Sequence, residues 1–151
     1  MSIERAATPW HLWVVGIVTL LWHSGGAVDY TMTQLRHEEY LQAAADQAGV
    51  SLQVILDYFT TFPAWADAAW AFGVWGGFFG SLLLLFRSRF ALHAFAISLA
   101  GLAVSTIYQS TADMPAELNT AFTWIFTAII CAVLILLIIY SRAMAAKGVL
   151  S

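Results

Sequence analysis

The densest run of groups that could do chemistry lies between Trp22 and Tyr40. Trp22, Gly25, Gly26, Asp29, Thr33, Arg36, His37 and Tyr40 recur at helical spacings of three, four and seven, so on one helix they share a face. A carboxylate such as Asp29 inside an apolar run is costly unless hydrated or paired, which marks it for substrate or proton contact. Arg36 stands two turns further on, too far to be its direct partner. Asp67, Trp70, Tyr108, Gln109, Asn119 and Thr123 reach the same level from later segments, and together these residues outline a polar mouth. The competing reading is an interfacial cluster hydrated by lipid headgroups. If a solute is bound, Asp29, His23, Trp22 and Tyr30 are the residues expected to touch it. His23 lies deeper, where an imidazole hydrogen-bonded to a neighbouring helix is the commoner role.

His11 and His93 raise a different chemistry. They fall at matching depths on two segments running in the same direction, and two such imidazoles could ligate a b-type haem. Both sit near the headgroups, and no second pair exists, because His23 and His37 share a helix. No other catalytic or cofactor signature is present. His37-Glu38-Glu39 has no histidine at i+4, no glycine loop ends in Lys-Ser or Lys-Thr, and no serine occupies a nucleophile elbow. The single Cys131 excludes an internal disulfide. The expectation is a non-enzyme with no cofactor or metal.

Four long apolar stretches must position these groups: about Trp10 to Met32, Ala64 to Phe86, Phe90 to Gln109 and Thr120 to Tyr140. Each meets the roughly 20 residues that a hydrocarbon core of about 30 Å requires. The chain is 61% hydrophobic and only 10% charged, too little charge for the surface of a soluble domain of 151 residues. With no basic patch, nucleic acid is not an expected partner. Five of the six basic residues, Arg5, Arg87, Arg89, Arg142 and Lys147, fall on one side of the spans. The positive-inside rule then puts both termini in the cytoplasm. Arg5, the apolar run Leu12 to Trp22 and Ser24 to Ala27 also fit a cleavable signal. Val28 and Tyr30 carry apolar character past the small residues and favour an uncleaved span. The fold class is therefore all-α: one four-span membrane domain over residues 1–151. The stretch from Gln34 to Ala45 has no helix breaker and is expected to continue the first span out of the bilayer. Gly49 ends it, and Ser51 opens a short amphipathic helix with Leu52, Ile55, Leu56 and Phe59 on one face.

Lipid offers no hydrophobic drive for helix association, so close backbone approach must supply the contacts. Ala66, Ala69, Gly73, Gly76 and Gly80 recur every three or four residues in the second span, as do Ala91, Ala94, Ser98, Gly101 and Ser105 in the third. These two helices, joined only by Arg87-Ser88-Arg89, are expected to pair tightly. Gly77 widens the flat face enough to admit another helix. The fourth span, bulky and aliphatic, reads as peripheral and lipid-facing.

The runs from Trp10 to Gly16, Gly26 to Gln34, Phe62 to Trp65, Gly73 to Gly76 and Leu82 to Arg89 resemble a small family of uncharacterised bacterial four-helix inner-membrane proteins. Some members carry a sugar-transporter label, so the resemblance implies an inner-membrane location and transport, with no catalytic residues to carry over. The leading expectation is a non-catalytic accessory or oligomer-forming membrane component. Its partners would be the lipid bilayer and either further copies of itself or other membrane proteins. The alternatives are a small-solute transporter acting as a homo-oligomer, and a b-haem protein resting on His11 and His93.

Overall fold

The computed structural model describes residues 7–151, and among these it contains six α-helices and no strand. They are α1 (Trp10–Gln34), α2 (Glu38–Ala48), α3 (Leu52–Thr60), α4 (Ala64–Leu85), α5 (Phe90–Thr111) and α6 (Ala121–Ala146). Four of them, α1, α4, α5 and α6, are long and apolar enough to cross a membrane. Pro9 and Pro63 precede α1 and α4, where a missing N–H leaves no bond unmade, and the Thr120 hydroxyl caps α6 by accepting from the Thr123 amide.

Arg87, Arg89, Arg142 and Lys147 gather at one end of the bundle, and Arg36 lies at the other. The Arg87 guanidinium donates to the Thr8 hydroxyl at 2.9 Å, and the Ser151 amide donates to the Arg87 carbonyl at 2.9 Å. The Arg89 amide in turn donates to the Ser151 carbonyl at 3.3 Å. The start of α1, the α4–α5 turn and the last residues therefore meet. Val149 and Leu150 fold back and are buried with Leu12, Leu84 and Phe95. Arg5 lies outside the described residues.

The α4–α5 pair is the closest approach in the bundle. A Cβ added at Gly101 would lie 2.5 Å from the Ala69 carbonyl oxygen and the Gly73 nitrogen. One added at Gly76 would stand 2.9 Å from the Ser98 nitrogen and 3.0 Å from the Ala94 oxygen. The Ser98 hydroxyl donates across the pair to the Gly73 carbonyl. Ala66, Ala69, Gly80, Ala91 and Ser105 are buried along the same helices, with Gly80 under the Phe95 ring. On the other side of α4, Gly77 receives the His23 ring and Leu85 packs on Gly16, which seats α1. Helix α6 leans on α5 through Leu134, Leu137 and Met144 and leaves Ile129, Ala132, Leu136 and Ile139 exposed.

The expected unbroken extension of the first span is not formed. Helix α1 stops at Gln34, and Arg36 adopts a left-handed conformation with φ 51°. The His37 amide reaches back to the Met32 carbonyl and the Arg36 amide to the Thr33 carbonyl, closing a Schellman turn without glycine. That costs roughly 1–2 kcal/mol for a residue with a Cβ. Contacts of α2 offset the strain. His37 Nδ1 accepts from the Tyr40 amide, Glu38 and Glu39 face the positive end of the α2 dipole, and Leu41 and Ala45 bury against Ile55 of α3. Helices α2 and α3 thus fold over the acidic end of the bundle. The α4–α5 turn repeats the device, with Arg87 at φ 57°.

Candidate functional site

Beneath α2 and α3 lies a vestibule of about 750 Å³, within the range that holds a drug-sized ligand. Asp29 and Thr33 of α1 form one wall, Trp70 of α4 and Gln109 of α5 another, and Thr123 of α6 a third. The α2–α3 roof adds Tyr40, Tyr58 and Phe59, and the α5–α6 connection adds Glu117. The Tyr40 hydroxyl donates to Asp29 Oδ1 at 2.8 Å. Burial, then that hydrogen bond and the carboxylate's charge, push the Tyr40 phenol up to about 12. Tyr58 is only 8% exposed, and its hydroxyl is buried without a partner. Its pKa is also pushed up to about 12, chiefly by burial and further by Tyr108. Trp70 is held by a stacked Phe59 at 5.4 Å and by the edge of Tyr30 at 4.9 Å.

A second cavity of about 440 Å³ lies deeper, walled by Trp22, Gly25 and Gly26 of α1, Gly73 of α4, Ser98 of α5 and Phe126 of α6. Trp70 lines both spaces. A second aromatic contact joins them, because Phe122 of the vestibule stacks on Phe126 of the inner cavity at 6.0 Å. His23 closes the inner cavity and is 7% exposed. Its Nδ1 lies 2.8 Å from the Thr19 carbonyl and 3.0 Å from the Ser81 hydroxyl. A carbonyl only accepts, so Nδ1 carries the proton, and Ser81 donates its own to the Gly77 carbonyl at 3.0 Å. Nε2 is left as a buried acceptor with no partner. Buried polar atoms are rarely orphaned, and the walls of each space include one residue with such an atom, Tyr58 or His23.

The inner cavity is open between α1 and α6. These helices touch at the basic end, where His11 Nδ1 lies 2.6 Å from the Tyr140 hydroxyl, and at Trp22 and Phe126, 5.8 Å apart. Gly25 and Gly26 have nothing within 4 Å of an added Cβ.

The sequence candidates separate into groups. Asp29, Thr33, Tyr40, Trp70, Gln109 and Thr123 converge on the vestibule. Trp22 and His23 belong to the inner cavity, while Tyr30 acts from behind Trp70. Arg36 and Asp67 share a smaller cavity of about 160 Å³ beside the vestibule, where Gln34 donates to Asp67 at 3.0 Å. Asn119 is taken up by the Trp124 indole at 2.6 Å, and the Tyr108 hydroxyl by the Thr61 carbonyl at 3.2 Å. The structure does not bring His11 and His93 to one cavity. Axial imidazoles must face one buried slot. His11 is engaged by Tyr140, His93 is exposed beside Phe90, and neither lines any of the three cavities. Among the described residues no group of three His, Cys, Asp or Glu could hold a metal ion. Tyr58, Phe62 and Glu117 are among the wall residues that spacing alone does not single out. Tyr58 falls beside, not within, the apolar stripe of α3, and only the roofed position of that helix gives it a role.

In comparisons with known proteins, no family model, curated protein or solved structure matches this chain.

Proposed function

We propose that this chain is a ligand-binding membrane protein of the transport class, taking a small solute into the vestibule from the side opposite its basic end. The observation that carries the reading is Trp70, which lines both the vestibule and the inner cavity; the walls of each include one residue, Tyr58 or His23, with an unpartnered buried polar atom. Asp29 and Tyr40 stand at the entrance, and His23 closes the far end. Four spans are too few to enclose a path across a bilayer, so the working unit is a homo-oligomer. The clustering of Arg87, Arg89, Arg142 and Lys147 supports a cytoplasmic basic end, with both termini inside. The family resemblance of the sequence supports a bacterial inner membrane.

The flank between α1 and α6 favours a second reading. Bare Gly25 and Gly26 beside an unfilled cleft suit the close approach of another protein's helix, as an accessory subunit would require. Native mass measurement of the protein gently extracted from its own membranes separates the two. Transport predicts a small homo-oligomer that retains a small-molecule adduct, and Trp70→Ala loses the adduct. A large assembly with stoichiometric protein partners and no adduct would overturn it in favour of the accessory role. Labelling a cysteine placed at Ala116, in a chain carrying Cys131→Ala, tests the orientation. An impermeant reagent added outside should reach it, and protection from that reagent would reverse the assignment.

A further inference from the structure

We propose that the vestibule selects an organic ammonium ion with an apolar body. This inference rests on the ligand-binding reading above and names the chemical class of that site's ligand. The wall carries two carboxylates, Asp29 and Glu117, and no lysine, arginine or histidine. Arg36 lines the adjoining smaller cavity, which shares Thr33, Leu41, Phe59 and Phe62 with the vestibule, and there it is accompanied by Asp67. An anion would enter against two carboxylates, with no cationic side chain in the wall to meet it. An inorganic divalent ion needs several oxygen ligands close together, and the described residues hold no cluster of three.

The rest of the wall fits a cation joined to apolar surface. Phe59, Phe62, Trp70 and Phe122 present aromatic rings, whose negative faces attract a cation and whose area favours an apolar body. The Tyr40 hydroxyl occupies Asp29 Oδ1, leaving the second carboxylate oxygen to accept. The unpartnered Tyr58 hydroxyl, on a side chain of the same wall, has lone pairs that an N–H of a primary ammonium can use. A quaternary ammonium would keep the charge attraction but forgo that bond.

The test uses the full chain in nanodiscs and four probes: 2-phenylethylammonium, its N,N,N-trimethyl analogue, neutral 2-phenylethanol and anionic 3-phenylpropanoate. Calorimetry reads affinity, and the shift in thermal unfolding gives an independent check. The expected order is ammonium, trimethylammonium, alcohol and carboxylate, with the alcohol at least roughly tenfold weaker than the ammonium. Asp29→Asn should weaken the ammonium about tenfold and leave the alcohol unchanged. Tyr58→Phe should weaken the primary ammonium several-fold and spare the trimethyl analogue. Asp113→Asn, a carboxylate outside the wall, serves as the charge control and should change nothing. Should Asp29→Asn fail to fold, Glu117→Gln measures the same charge effect. Equal binding of alcohol and ammonium, or tighter binding of the carboxylate, would overturn the cation and leave the ligand-binding reading standing. Failure of every probe to bind would overturn both.

Discussion

The Tyr40 hydroxyl lies 2.8 Å from Asp29, eleven residues away in sequence, and ties the roof of the vestibule to its wall. In an unbroken helix the two residues would share a face but stand about 16 Å apart along the axis. The left-handed Arg36 turns the chain so that they meet.

This contact has a measurable strength. Tyr40→Phe should destabilise the protein by about 1 kcal/mol, less than a buried charged hydrogen bond because Asp29 is exposed. In the double variant with Asp29→Asn the two losses should not add, as read from thermal unfolding in detergent. Strict additivity would mean the bond contributes nothing in the membrane-like environment.

The α4–α5 pair should be intolerant of a single methyl group. In Gly101→Ala the new Cβ would meet backbone atoms at 2.5 Å, which no side-chain rotation can relieve. A cost of about 3 kcal/mol or more is expected, with loss of the protein from the membrane fraction. Ala132→Leu, on the exposed face of α6, should stay within about 0.5 kcal/mol of the parent. Comparable accumulation of the two variants would contradict the packing.

Gly77 and His23 form a matched pair of small and large. A Cβ at Gly77 would stand 2.4 Å from the His23 ring, so Gly77→Ala must push the imidazole off Ser81. Adding His23→Ala should recover most of the lost stability by removing the clash. No recovery in unfolding measurements would show that α1 does not seat on α4 through this contact.

Two tyrosines should titrate late. An unfolded tyrosine ionises near 10, and Tyr40 and Tyr58 are each held at about 12. The folded-state pKa is raised, so their contribution to stability is full below about pH 10 and is lost as pH climbs toward about 12. Absorbance of tyrosinate should show a component near pH 12 that shrinks with Tyr40→Phe and again with Tyr58→Phe. An unchanged titration in either variant would contradict the assignment for that residue.

Much of this architecture can be read from residue types. Runs of apolar residues mark the four long helices, and Gly49 and Ser51 mark the break between α2 and α3. Gly73, Gly76 and Gly101 fall where two backbones meet. The turn at Arg36 has no such mark, because arginine in a left-handed conformation is stabilised by contacts made elsewhere. Nor has the return of Val149 and Leu150 into the core, which depends on where the α4–α5 turn lies in space. For the site, the helical spacing from Trp22 to Tyr40 picks out several wall residues. The division into two cavities, both lined by Trp70 and by residues of α6, depends on how the helices sit together in space, which no periodicity encodes.

The unequal lengths of the long helices have a further consequence. Helices α4 and α5, with 22 residues each, span about 33 Å, close to the thickness of a hydrocarbon core. Helices α1 and α6, with 25 and 26 residues, run to about 38 Å and either lean within the same slab or carry their ends beyond it. Where they lean, a thicker membrane would let them stand more upright, while the locked central pair stays as it is. The width of the gap between α1 and α6 then tracks lipid chain length, and ligand affinity should change between short-chain and long-chain phosphatidylcholine nanodiscs. Constant affinity across that series would mean the flanking helices do not move independently. If it changes, the bilayer itself sets how far the inner chamber stands ajar.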